Sequence, residues 1–292
     1  MRVLGVDVSL GRGLDAVLLE EGLVKETWSR MGPGHLGSLL DELRPDAVAI
    51  DAPPRPGLGL LRDPNEAARL PVPPRPGTHL ARRIAEYELS RRGIGSHQTH
   101  YEEGLLFSWM TAGFEAFRAA ERAGFPPYLG RGDGRGAALE VFPYASYVAW
   151  AGCLSPGRRW RLTWRRSALA GAGVSGLPED ASIDVVDAAC AALTGERFLA
   201  GEGTFLGDER EGVIVLPVPQ LAEHYTRCDP PGGRPPRTAR MCECGCGRPV
   251  RRRFLPGHDA KLLSRLLAEA RAGEDARKEL IRLGWTRHLR GE

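Results

Sequence analysis

RVLGVDVSLGRG, residues 2–13, drives a run of apolar residues into a single acid, Asp7, and then into a hydroxyl and glycines. The apolar run reads as a buried first strand. A carboxylate at the end of such a strand is costly unless something compensates its charge. The rest of the chain supplies candidates for that compensation.

Downstream, LDAVLLEEG (14–22) and LVKETWSR (23–30) are two β-prone runs about a Glu-Gly turn, which predicts a hairpin. LGSLLDELRP (36–45) carries Leu36, Leu39, Leu40 and Leu43 at helical spacing and closes on Pro45. DAVAI (46–50) is a short apolar strand running into Asp51. Strands, helix and returning strand predict an α/β layer architecture. Residues 52–79 are rich in Pro and Gly and read as a long loop. Helices are expected over 78–93, with Thr78 as cap and Leu80, Ile84 and Tyr87 on one face, and over 105–124. GAALEVFPYAS (136–146) reads as a strand stopped by Pro143, SIDVVDAACAALTG (182–195) as a helix, and EGVIVLPVP (211–219) as a last strand.

Four acids besides Asp7 stand out. Asp51 ends a strand, Glu140 lies inside one, and Asp184 and Asp187 are three apart on a helix, which puts them ~5–6 Å apart on one face. Each has an ordinary explanation: Asp7 and Asp51 as turn residues, Asp184 at a helix N-terminus, Glu140 paired with an arginine. Gathered at one sheet edge they would repel one another, and a divalent cation with oxygen preference removes that penalty. Two such cations can activate water and hold a leaving phosphoester oxygen.

GVDVS, VAIDAPP, RRIAEYELSRRGI, SWMTAGFEAF, LEVFPYAS, IDVVDAACAALTG and GDEREGVIVLP follow one another over roughly residues 3–217. In that order they resemble domain-of-unknown-function family 429, described as predicted RNase H-like nucleases. The resemblance implies an RNase H-like mixed sheet flanked by helices, and a Mg²⁺ or Mn²⁺ site built from Asp7, Asp51, Asp184 and Asp187, with Glu140 a further catalytic candidate. Arg83 and Glu86 match the family's Arg-x-x-Glu helix. The insert PVPPRPG (71–77) departs from the family pattern.

Charge is divided unevenly. Residues 226–292 hold 16 Lys+Arg and 8 Asp+Glu, while 1–225 hold 24 and 29. A basic tail on an acidic body suggests a polyanion partner, DNA or RNA. Three cysteines, 242, 244 and 246, cluster there, with His258 beyond them, and four N/S donors suit tetrahedral zinc. Asp259 is placed to orient His258 or to cap a helix starting near Lys261. The remaining thiols, Cys153, Cys190 and Cys228, read as buried or incidental. The expected layout is a nuclease domain over 1–225, a Pro/Gly/Arg linker over 226–240 and a basic zinc module over 241–292, which could also dock a protein.

No run of about 18 apolar residues suggests a membrane span, and Asp7 interrupts any signal sequence, so a cytoplasmic protein is expected. His97 and His100 in SHQTH read as a solvated loop, and GRGDGRG (130–136) as a turn without P-loop chemistry. RRWRLTWRR (158–166) can grip a single strand by stacking and charge, or cover a core face. The expected function is metal-dependent phosphodiester hydrolysis. A nucleic-acid binder with a vestigial site is the alternative, and an actin-like ATPase or kinase is disfavoured because no second Asp-bearing hairpin and no late Gly-Gly motif follow.

Overall fold

The computed structural model describes residues 1–9, 11, 13–230, 240–250, 253–270 and 273–289. The chain forms two units, Met1–Pro230 and Pro231–Glu292.

The first unit is built on a five-stranded sheet: β1 (Arg2–Ser9), β2 (Gly13–Glu20), β3 (Leu23–Met31), β4 (Ala47–Asp51) and β5 (Ala138–Glu140). Its order is β3-β2-β1-β4-β5, with β2 alone running against the others, which is the RNase H-like arrangement. Helix α1 (Pro33–Leu43) links β3 to β4; α2 (Pro64–Ala68), α3 (Ile84–Arg91) and α4 (Ser108–Arg122) precede β5. After β5 come α5 (Pro143–Ala151), α6 (Arg161–Gly171) and α7 (Ile183–Leu199), then a hairpin of β6 (Thr204–Asp208) and β7 (Gly212–Leu216).

Both faces of the sheet are buried, and the period of two in each strand divides the side chains between them. Leu4, Val6, Leu18, Val48 and Ile50 pack with Leu36, Leu40 and Phe117 of α1 and α4. Val3, Val17, Leu19, Ala47 and Ala49 pack with α7. That helix sits unusually close because its sheet-facing residues are small. A Cβ on Gly5 of β1 would collide with the backbone of Ala188 and Ala192, so only glycine admits α7 there. Ser182 starts α7 by accepting a hydrogen bond from the Val185 N–H.

Several local expectations change. β5 ends at Glu140, and Pro143 opens helix α5 instead of merely stopping a strand, because its fixed φ suits the first helical turn. Helix α3 begins at Ile84, not Thr78; the Glu86 carboxylate reaches back to accept the Arg83 backbone N–H, and the Thr78 hydroxyl turns back to the Arg75 carbonyl. Leu80, expected on its buried face, is exposed. Cys153 and Cys228 are not idle thiols but a disulfide across 75 residues. Arg227 bridges Leu154 beside it, so residues 226–230, expected in the linker, belong to the first unit. Most of the remaining linker, 231–239, lies outside the described residues.

The second unit opens with a hairpin of β8 (Arg240–Met241) and β9 (Pro249–Val250), followed by α8 (His258–Glu269) and α9 (Glu274–Arg282). Its core is small: Leu262, Leu266, Leu280 and Leu283, with Phe254 stacked on Trp285. Helix α8 starts at His258, three residues before the expected Lys261. Among the described residues no helix is long and apolar enough to cross a membrane.

Candidate functional site

Asp7 and Asp51 are register partners on the parallel strands β1 and β4, and Asp15 is the partner of Asp7 on β2. Strand parity groups Asp7 with Val3, Asp51 with Ala47 and Ala49, and Asp15 with Val17 and Leu19, so all three share the α7 face. The first turns of α7 add Asp184 and Asp187 to that face. Four strand-borne or helical acids singled out in the sequence therefore converge, with Asp15 as a fifth. Asp15 is not among the acids that stand out in the sequence, although the alternation in GLDAVLLE sets it beside the core-facing Val17 and Leu19.

Glu140 behaves differently. Its register partner is Ile50, which belongs to the opposite face. The Arg83 guanidinium binds both Glu140 oxygens and reaches Glu86 Oε1 at 3.0 Å. All three are almost completely buried. Glu140 thus takes the arginine-paired role. Glu211, fully buried, accepts the backbone N–H groups of Leu58, Leu60 and Ile84 and so ties the 52–62 loop to the start of α3.

A cleft of about 360 Å³ opens at the C-terminal ends of β1, β4 and β5, the edge where open α/β sheets place their ligand sites. Asp7, Ser9, Asp51, Asp184, Arg83, Glu140 and His97 line it. The His97 ring meets Phe107 and Trp109 edge-on, while His100 stacks on Tyr101.

The carboxylates are held in an unfavourable state. Burial, then repulsion from Asp187 and Asp184, pushes Asp7 up to about 8, although the Ser9 hydroxyl at 3.3 Å pulls the other way. Burial and the Asp7 charge raise Asp51 well above the ordinary carboxylate range. Asp187 rises to about 6 through burial, restrained by Arg165 and Tyr147. Arg165 of α6 is ion-paired with Asp187, and the Tyr147 hydroxyl lies 3.1 Å from Asp187 Oδ1. Arg165 comes from RRWRLTWRR; buried as it is, it faces the core and not a strand of nucleic acid. Trp164 of the same stretch packs on the rings of Tyr144 and Tyr147.

These donors suit a hard divalent cation: Asp7, Asp51 and Asp184 offer carboxylate oxygens to one cleft, and burial and mutual repulsion burden Asp7 and Asp51. Asp187 does not line the cleft.

In the second unit the ligand atoms of Cys242, Cys244, Cys246 and His258 all lie within 4.8 Å of one another. Cys244 Sγ is 3.1 Å from His258 Nδ1 and 3.3 Å from Cys242 Sγ, and the Leu255 N–H donates to Cys242 Sγ. Gly245, between Cys244 and Cys246, and Gly247 just beyond take the left-handed conformation that suits tight turns. Asp259 stands in the first turn of α8.

No curated protein matches the chain. Among solved structures it is similar to the Thermus thermophilus RuvC structure, with a TM-score of 0.37 and 14% identity over 71% of this chain and 99% of that one. The family model described as a protein of unknown function, DUF429, matches residues 5–212, and the chain belongs to that family.

Proposed function

We propose that the chain is a divalent-metal-dependent nuclease that hydrolyses phosphodiester bonds of DNA or RNA. One arrangement carries this reading: Asp7 and Asp51 abreast on neighbouring strands, with Asp184 brought to the same cleft, form more carboxylate than the buried site can ionise unaided. Asp7, Asp51 and Asp184 would hold Mg²⁺ or Mn²⁺. When bound, such a cation polarises a phosphoester oxygen and lowers the pKa of an attacking water. The chain's own contribution is placement. The Ser9 hydroxyl steadies Asp7, and the neutralised Arg83–Glu140 pair forms a stiff wall of the cleft. In the tail, Cys242, Cys244, Cys246 and His258 would bind zinc, and the basic excess of that segment would meet phosphates.

The test is cleavage of end-labelled single- and double-stranded DNA and RNA in Mn²⁺, Mg²⁺ or EDTA, with Asp7→Asn alongside. Metal-dependent cutting of at least one substrate, abolished by EDTA and by the variant, is expected. Binding without cleavage under any metal would favour the vestigial-site alternative. A variant that cuts at the wild-type rate would reduce Asp7 to a turn residue.

A further inference from the structure

Asp184 and Asp187 look interchangeable in sequence, yet their surroundings differ. Asp184 is half-buried and lines the cleft. Asp187 is 8% exposed, and both its oxygens are engaged: Oδ2 by the Arg165 guanidinium, Oδ1 by the Tyr147 hydroxyl. Arg165 is just as buried, and its guanidinium also lies 5.4 Å from the centre of the Tyr147 ring. An arginine in this position stays charged at any pH the protein survives. Its charge also acts on Asp51, offsetting part of the repulsion from Asp7 and Asp187.

From this geometry we infer that the acidic cleft takes one divalent cation, not two, and that Arg165 supplies the second positive charge as a permanent part of the fold. The inference rests on the metal-dependent reading above. A cation placed on Asp187 would have to displace a buried guanidinium, leaving that charge without a partner in a low-dielectric site and within repulsive range of the incoming ion. The Arg165 Nε is already buried with no acceptor among the described residues, so the guanidinium has little alternative hydrogen bonding to fall back on. Arg165 is therefore a positioning residue: it holds Asp187 away from the cation, and Asp184, which lines the cleft where Asp187 does not, is the ligand that α7 contributes.

Mn²⁺ titration of the zinc-loaded full chain, with free Mn²⁺ read by electron paramagnetic resonance, tests this without any substrate. Wild type should bind one Mn²⁺. Asp184→Asn should weaken binding by more than about 30-fold, a loss of one ligand charge being worth roughly 2 kcal/mol. Asp187→Asn should keep one Mn²⁺ with affinity within about 3-fold. Should that variant misfold around the unpaired arginine, the double variant Arg165→Leu with Asp187→Asn removes both charges together, and one Mn²⁺ is again expected. Arg165→Leu alone frees Asp187 and should admit a second Mn²⁺. Two Mn²⁺ in wild type falling to one in the Asp187 variants would overturn the inference while leaving the nuclease reading intact. So would a single Mn²⁺ lost together with Asp187. No Mn²⁺ bound at all would overturn both.

Discussion

Asp7 and Asp51 face each other across adjacent parallel strands, and neither has a cationic side chain bonded to it among the described residues. In protein stripped of divalent metal this has a thermodynamic signature. Unfolded, Asp7 loses its proton near the ordinary value of 3.8; folded, it keeps it to about 8. Between those values the native state binds more protons, so stability falls as pH rises from about 4 to 8 and levels off above. Asp7→Asn cannot lose a proton and should flatten that slope. At pH 8 it should be more stable than wild type by about 2 kcal/mol, or roughly 5 °C, less than the full shift implies because Asp51 shares the same repulsion. Thermal melts in EDTA at pH 5 and pH 8 measure it. A wild-type melting point that climbs with pH would contradict the picture.

Gly5 tests how the site is assembled. The helix that carries Asp184 rests its backbone directly on β1 at this residue. A methyl group there meets the Ala188 carbonyl and the Ala192 amide, and backbone cannot step aside as a side-chain tip can. Gly5→Ala should therefore lift α7 off the sheet and cost about 3 kcal/mol, in the range of overpacked cores. Chemical denaturation reads the loss, and Mn²⁺ affinity should fall with it because Asp184 moves away from Asp7.

Glu211 offers a second structural test. Its two oxygens satisfy three backbone donors, at 3.0 Å for Leu58, 3.2 Å for Leu60 and 3.0 Å for Ile84. Glu211→Ala leaves the buried Ile84 donor and the part-buried Leu58 and Leu60 donors without this acceptor and should cost about 3 kcal/mol. Glu211→Gln keeps one acceptor oxygen and should lose less. Equal melting points for the two variants would mean that side-chain volume, not hydrogen bonding, matters here.

Much of the sheet was legible because its strands are short apolar runs broken by recognisable turns, and because Leu36 and Leu40 repeat at helical spacing. The acids were legible for a related reason: Asp7 and Asp51 interrupt runs that otherwise have no polar residue. What escaped was pairing. Nothing local in ALEVF tells whether Glu140 serves a cation or an arginine 57 residues earlier. RRWRLTWRR shows a basic stretch, but only the packing of α6 turns Arg165 inward to Asp187. The Cys153–Cys228 disulfide spans 75 residues, and spacing alone does not reveal it. Helix α3 is shorter than the sequence predicts because Thr78 looks like a cap, whereas the Glu86 carboxylate closes the helix start on the Arg83 N–H, five residues on.

The tail calls for a cut at the right place. Removing everything from residue 226 would sever the Cys153–Cys228 disulfide and the strand-like bridge of Leu154 with Arg227, damaging the first unit. A stop after Pro230 keeps both. Residues 231–292 hold 15 Lys+Arg and 7 Asp+Glu, so the shortened chain loses the basic excess while every acid of the cleft remains. Its affinity for oligonucleotides should fall at least about 10-fold at 0.1 M salt, and the slope of log affinity against log salt should flatten, since fewer phosphate contacts release fewer counterions. Slow metal-dependent cleavage should survive at high substrate. In the full chain, metal analysis should find about one zinc, the four N/S donors filling a tetrahedral set. A chelator should unfold the second unit first, because four buried leucines are little core for so short a segment. An unchanged salt slope in the shortened chain would exclude the tail as the grip on nucleic acid and leave protein docking as its role.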